Sequence, residues 1–387
     1  MGPLRGSKKR KRAAEKKAAA EAAAAGQGTG GDWWDEFSRR ITDRLSKEPK
    51  NFESVFKMSR KTFDYICSLV KDNLMAKTSN FAFTDGTILS IEDQVAVALR
   101  RLNSGESLLN IGVLFGLNHS TVSQVTWRFV EVMEERGLCH LKWPTSQELE
   151  DIKSKFEKIE GLPNCCGVID TTHIMMCLPS VDSSNKVWID YEKKHSMVLQ
   201  VIVDPEMRFR DILTGWPGIM NELPVLHSSG FFKMCDKGTR LNGEKVELAE
   251  GVEVREYIIG DSGFPLLPWL LTPYQGKDLS DAKLEFNKKL SATGIVAQRT
   301  LARLKDMWRI IDGEMWRPDK HRLPRIILVC CLLHNIIIDL KDEVRDEISL
   351  SDKHDTSYEQ KLCDQKDNDG IILRDKLSEY LSGSLPS

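Results

Sequence analysis

The sequence has no CxxC pair. Its nine cysteines, from Cys67 to Cys363, are scattered, which excludes zinc ribbons and fingers built on closely spaced thiolates. It has no surplus of one charge either. The 55 Lys and Arg against 57 Asp and Glu leave a net charge of −2, so overall charge points to no nucleic-acid partner. No apolar leader opens the chain, and a reducing compartment with unpaired cysteines is expected. No run is long enough to span a bilayer. Ile326–Ile338, IILVCCLLHNIII, is too short and is broken by His334 and Asn335, so it reads as a core helix and no membrane partner is expected.

The chain divides into four stretches. Residues 1–31 carry KKRKR (Lys8, Lys9, Arg10, Lys11, Arg12), an alanine–lysine run and a glycine cluster. Nothing there can form a core, so a disordered basic tail is expected, with the five cations as a nuclear import signal. Residues 32–145 read as helical. Ser90 with Asp93 opens a helix that Gly105 closes. A short helix from Leu108 to Phe115, a turn at Gly116–Asn118 and a longer helix from Ser120 to about Glu135 match the helix-turn-helix pattern. His119, Ser120, Thr121, Gln124 and Arg128 are its candidate DNA contacts. The alternative is a helical corner that only packs. One arginine against Glu131, Glu134 and Glu135 suits a phosphate backbone badly, so DNA binding is expected to be weak or indirect.

From Leu162 the pattern turns to strands, and 162–340 reads as an α/β domain. GVIDTTHI, Gly167–Ile174, is a β-branched strand expected to end at Asp170. An acid there is costly unless it meets a cation or a donor. HSMVLQVIVD and FRDILTGWPG read as two adjacent strands joined by a turn at Asp204–Pro205. NELPVLHSSGFFKMC reads as a helix, and YIIGDSG as a strand ending at Asp261. Thr293–Lys305 reads as a helix crossing near both aspartates. Strand, strand, strand, helix, strand, helix is the order of an RNase H-like core. Residues 341–387 are acidic and polar and read as a solvated linker or interaction tail, with a short amphipathic helix near ILRDKLSEYLSG.

Six ordered motifs carry a resemblance: GVIDTTHI, GWPGIMNE, GDSGFPLLPWLLTPY, the FN before the last helix, RLKDMWRII and CCLLHNI. Together they resemble the DDE endonucleases derived from PIF/Harbinger transposases, and most of all the plant domesticated group called Antagonist of Like Heterochromatin Protein. The resemblance implies an RNase H-like DDE nuclease core behind an all-α, helix-turn-helix-type domain. It implies Asp170 and Asp261 as two catalytic, metal-holding aspartates at the ends of neighbouring strands. The third acidic position, an aspartate in the family's WPGSxHD, is Glu222 here, preceded by Asn221. The helix glutamate of the family is Gln298, and the nearest acids on that helix are Glu285 and Asp306. An amide oxygen is a weak ligand for Mg²⁺ or Mn²⁺, so the divalent metal of the family is expected to be weakly held or lost. Asp170 and Asp261 then serve equally well as hydrogen-bond acceptors for loop amides. The expected protein is a domesticated transposase acting as a non-catalytic chromatin component in the nucleus. The resemblance implies a Myb/SANT-like DNA-binding protein and Polycomb or histone-acetyltransferase subunits as partners. The alternative is a metal-dependent DNA endonuclease using Asp170, Glu222 and Asp261.

Overall fold

Helix signals in the first third resolve into real caps. The computed structural model describes residues 32–45, 51–76, 80–178, 183–249, 252–313, 315–316, 321–342 and 362–383; the cluster Lys8–Arg12 lies outside them. Helix α1, Trp33–Leu45, belongs to a first unit of its own, and its Trp33 ring stacks on Phe37 at 4.6 Å. The second unit, Asn51–Ser387, begins with α2 (Phe52–Phe56), α3 (Arg60–Ala76) and α4 (Ile91–Ser104). Ser90 and Asp93 form a reciprocal capping box on α4, and Gly105 closes it at φ 66. Helix α5, Leu108–Phe115, ends on Gly116 at φ 67, and α6, His119–Gly137, follows. Adding a Cβ at Gly112 would bring it within 2.6 Å of the Leu117 carbonyl oxygen, so the α5–α6 turn is tight enough to require glycine there.

Arg128 does not join the exposed face of α6. It is 6% exposed, its guanidinium donates to the Leu74 carbonyl and lies 5.5 Å from the Phe81 ring centre. The cause is helical phase: Arg128 falls between buried Val125 and Val132, on the core side. His119, Ser120 and Gln124 are exposed and Thr121 is half-buried.

Helix α7, Ser146–Glu160, is opened by a Thr145–Glu148 capping box. It leads into β1 (Cys165–Cys177), β2 (His195–Val203) and β3 (Phe209–Pro217), then α8 (Glu222–Ser228), α9 (Gly230–Asp236), β4 (Val246–Ala249) and β5 (Val252–Val254). After these come β6 (Tyr257–Ile259), β7 (Leu270–Leu271), α10 (Asp281–Met307), β8 (Met315–Trp316), α11 (Leu323–Asp339) and α12 (Asn368–Leu381). The main sheet runs β3-β2-β1-β6-β7, with β8 also on β1; β4 and β5 make a separate hairpin. Strands β1, β2 and β3 pair antiparallel, while β6 lies parallel to β1 and β7 parallel to β6. Among the described residues no helix is long and apolar enough to cross a membrane.

The strand expected to end at Asp170 runs on to Cys177. Strand β2 continues to pair with it as far as Met176 opposite His195. What stops near Asp170 is the pairing on the other edge, where Val168 opposite Ile259 is the last match with β6. The expected single helix after β3 is two, because Ser229 adopts an extended backbone and caps a new helix through Phe232 N at 2.9 Å. Buried Glu256 joins several elements. Its carboxylate meets Lys153 Nζ of α7 at 2.6 Å and accepts from Gly243 N at 2.9 Å. The end of the chain departs furthest from expectation: α12 is packed into the body, with Leu373, Arg374 and Leu377 buried.

Candidate functional site

The register of the parallel pair brings the two aspartates side by side. Val168 of β1 faces Ile259 of β6, and Asp170 and Asp261 each lie two residues further on. Both therefore stand just past the last matched pair of the parallel β1–β6 ladder, Asp261 beyond the end of β6 and Asp170 within β1. Both are half-buried. Asp170 Oδ1 accepts from Thr171 N at 2.7 Å, and Asp261 Oδ1 accepts from Gly263 N at 2.8 Å. Each carboxylate thus meets a loop or strand amide, as expected if it serves as an acceptor.

Gln298 lies on α10, and two contacts fix how that helix runs along β1. Lys289 Nζ donates to the Glu160 carbonyl at 3.4 Å, just before β1, and Lys305 Nζ donates to the His173 carbonyl at 3.3 Å. The helix therefore advances in the direction of the strand. Gln298 precedes Lys305 by about 10 Å of helix, and Asp170 precedes His173 by about 10 Å of strand. Gln298, half-buried, lies on the stretch of helix between these two contacts.

Glu222, at the start of α8, reaches the Asp261 loop. A Cβ placed on Gly263 would lie 3.0 Å from Glu222 Cδ and 3.1 Å from Asp261 Oδ1, so the two carboxylates share one small space. Burial first, and then the charge of Asp261, push the Glu222 carboxyl above its ordinary range, against a downward pull from its own backbone amide. Beside it, Tyr191 Oη donates to Asn221 Oδ1 at 2.8 Å and ties the loop before β2 to the loop after β3.

These donors do not make a metal centre as they stand. Among the described residues, no three His, Cys, Asp or Glu side chains gather closely enough to hold an ion. Glu222 and Asp261 form a repelling pair, and the helix contributes an amide where a carboxylate would complete a two-metal clamp. No step through a metal is derived from this arrangement.

A second constellation escaped the sequence reading. Ser196 Oγ donates to Asp190 Oδ2 at 2.6 Å and lies 3.1 Å from His173 Nδ1. The residue types are those of a hydrolytic triad, but their order is wrong, with serine between the acid and the histidine. Ser196 is also fully buried, and a Cβ on Gly218 would overlap its Oγ at 1.9 Å. No substrate can reach it, and the chain locks loops. The only sequence signal was the His in TTHI.

The same sheet face holds Asp211, opposite Ile202 on β3. Burial pushes its carboxyl up to about 6, against a partial pull downward from Arg240. A folded-state pKa above the unfolded one means that stability is full below about pH 4 and is lost as pH rises through about 6. Asp211→Asn is therefore expected to raise stability by about 2 kcal/mol at pH 7 to 8, with the gain shrinking towards pH 4. Urea melts of both proteins across that range measure it; a gain that does not depend on pH would remove the assignment.

The DDE superfamily endonuclease family matches residues 169–335, beginning one residue before Asp170. A protein named Protein ALP1-like from Arabidopsis thaliana is 62% identical over 91% of this chain and 86% of its own length. Protein Antagonist of Like Heterochromatin Protein 1 from the same plant is 48% identical over 90% of this chain and 89% of its own. A human protein named Putative nuclease HARBI1 is 25% identical over 78% of this chain and 82% of its own. No solved structure matches the chain. Mixed helix and sheet in this strand order is consistent with a DDE nuclease fold, and the chain belongs to the DDE superfamily endonucleases, within the plant Antagonist of Like Heterochromatin Protein group of domesticated transposases.

Proposed function

We propose that this chain is a non-catalytic component of a nuclear chromatin complex, built on the frame of a Harbinger-type transposase. The observation that carries the reading is Gln298: the helix that runs beside β1 presents a half-buried amide where the family resemblance implies an acid. A divalent cation, Mg²⁺ or Mn²⁺, is then weakly held or lost, and metal stabilisation of the transferring phosphoryl group goes with it. One relative is named as an antagonist of Like Heterochromatin Protein, which supports a role in chromatin. In this reading Lys8–Arg12 drive nuclear import. The α5–α6 pair is a helix-turn-helix-type element with little affinity for duplex. DNA is reached through a Myb/SANT-like partner, and Polycomb or histone-acetyltransferase subunits are the complex. A second reading, a metal-dependent endonuclease, is favoured by one feature, the approach of Glu222 to Asp261, which would supply a rearranged acid.

Purified full-length chain with Mg²⁺ or Mn²⁺ and plasmid DNA separates the two. Cutting is expected to stay at background, and Gln298→Glu alone is expected not to restore it, because Glu222 and the apolar Ile219–Pro224 loop have changed as well. Mg²⁺-dependent cleavage that Asp170→Ala abolishes would reverse the assignment.

A further inference from the structure

Arg240, in the loop after α9, is held in place on an aromatic shelf. Its guanidinium lies 4.8 Å over the Trp143 ring centre and 5.8 Å from that of Phe231. The two rings stand 5.0 Å apart, and buried Phe231 anchors them in the core beside Leu226, Leu241 and Trp269. A stacked guanidinium keeps its orientation, so a ligand has little freedom left to remove. Among the described residues, none accepts a hydrogen bond from Arg240 or forms an ion pair with it. Asp211 feels its charge without reaching it.

Arg255, just after β5, is a second such group. Gly243 N donates to the Glu256 carboxylate at 2.9 Å, which pins the segment after Arg240 beside Arg255. Burial pushes the Cys235 thiol up to about 12, and both arginines pull against it, so both stand near the same sulfur. Arg255 also has no hydrogen bond or ion pair to a described residue. Both arginines are half-buried, and exposed Lys142, next to Trp143, adds a third cation without an ion pair among the described residues.

A guanidinium carries five donors in a planar fork and no acceptor. It meets a carboxylate or a phosphate edge-on, two donors to two oxygens. The neighbouring charges choose between these. Asp236 and Glu244 are exposed four residues before and after Arg240, and exposed Glu253 lies two residues before Arg255. A nucleic-acid strand would run a row of phosphates past these acids, and its affinity depends on an unbroken row of cations. A short side-chain carboxylate reaches the arginines without passing them. We propose that Arg240 and Arg255 form a docking site for an acidic segment of a partner protein, with a glutamate or aspartate edge-on to each guanidinium. None of these residues belongs to the set Asp170, Glu222, Asp261 and Gln298, so the proposal goes beyond the scaffold reading and does not depend on it. Charge complementarity selects the partner, and the aromatic shelf lowers the cost of ordering Arg240.

Fluorescence anisotropy with full-length chain tests it. The probes are a labelled glutamate-rich peptide, the same peptide with glutamine at every glutamate, and single-stranded and duplex oligonucleotides. The glutamate peptide is expected to bind about tenfold tighter than its glutamine counterpart. Arg240→Gln combined with Arg255→Gln should bring it down to the glutamine level. Lys61→Gln combined with Lys71→Gln, an equal change of charge at exposed positions of α3, should leave the preference intact. Arg240→Lys keeps the charge and loses the fork, and should lose most of the preference. Thermal melts check the fold of each variant; if the double arginine variant unfolds, Arg240→Lys decides alone. The docking site is overturned if glutamate is not preferred, or if the preference survives the arginine substitutions. It is also overturned if the lysine variant loses as much, since net charge would then explain the binding. Tighter binding of either oligonucleotide through the same arginines would make the surface one for nucleic acid instead. DNA cleavage plays no part in this readout, so failure here leaves the scaffold reading intact, and cleavage would leave the docking site intact.

Discussion

Asn335→Ala is expected to destabilise the protein by about 3 to 5 kcal/mol, as three buried hydrogen bonds lost together would. Asn335 is fully buried on α11. Its Nδ2 donates to the His140 and Phe209 carbonyls, each at 2.8 Å, and its Oδ1 accepts from Phe209 N at 2.9 Å. One side chain thus joins the helical residues, the last helix of the core and the start of β3. Truncation leaves both main-chain groups of buried Phe209 without this partner, and an unmet buried group costs more than a met one returns. Asn335→Leu is expected to fare no better, because its volume fits and its chemistry does not. Urea melts should show a lower midpoint with an unchanged slope. A cost below about 1 kcal/mol would mean that the Phe209 groups find other partners.

Asn335 also shows what a sequence reading can and cannot reach. Two polar residues inside IILVCCLLHNIII mark a core helix that must satisfy them internally, and the helix is there. Their partners are invisible in sequence, because they lie on segments far away in the chain. His334 behaves alike: its Nε2 lies 2.8 Å from the Met207 carbonyl, and burial holds its ring down to about 3, so it stays neutral.

Local signals read well wherever one residue type has one mechanical use. Ser90 with Asp93, Gly105 and Gly116 place helix ends to the residue, because caps depend on neighbours three or four positions away. The strands β2 and β3 and the turn between them follow from apolar runs around Asp204–Pro205. The capping box Thr145–Glu148 is an equally local signal, and it announces α7, a helix absent from the sequence expectations. Arg128 is misplaced among the DNA contacts although its phase between Val125 and Val132 puts it on the core side. In the candidate site, the nearness of Asp170 and Asp261 follows from two apolar strands that pair in parallel, Val168 opposite Ile259. The approach of Glu222 to Asp261 is not legible, since it depends on how the β3–α8 loop folds back. Nor is the facing of Thr171 and Gln200, which only the register of β1 against β2 brings about.

Deleting everything after Lys361 is expected to have the largest effect of all, leaving a chain that is insoluble or melts far below the intact protein. The reason is that the acidic end of the sequence is part of the body. Cys363 N donates to the Ser262 carbonyl at 2.9 Å, Leu266 N to the Gln365 carbonyl at 3.0 Å, and Asp367 N to the Leu266 carbonyl at 2.9 Å. The segment therefore runs as a strap along the loop that leaves Asp261. Helix α12 then settles so closely that a Cβ on Gly370 would meet the Leu267 carbonyl carbon at 2.8 Å. Arg374 lies 4.0 Å over the Tyr274 ring centre and donates to the Thr272 and Pro273 carbonyls, while Tyr274 Oη donates to Asp375 at 2.6 Å. Charge composition predicted a solvated tail, but the apolar positions Leu373 and Leu377 and the buried Arg374 decide the outcome. Because truncation risks aggregation, Leu377→Ala gives the graded version, about 2 to 5 kcal/mol for a fully buried leucine. Hydrogen exchange should also speed up at Leu266 and Asp367, whose amides the strap and its seat protect. A truncated chain with an unchanged melting temperature would return the segment to solvent. It would also leave the loop after Asp261 without the strap that holds it.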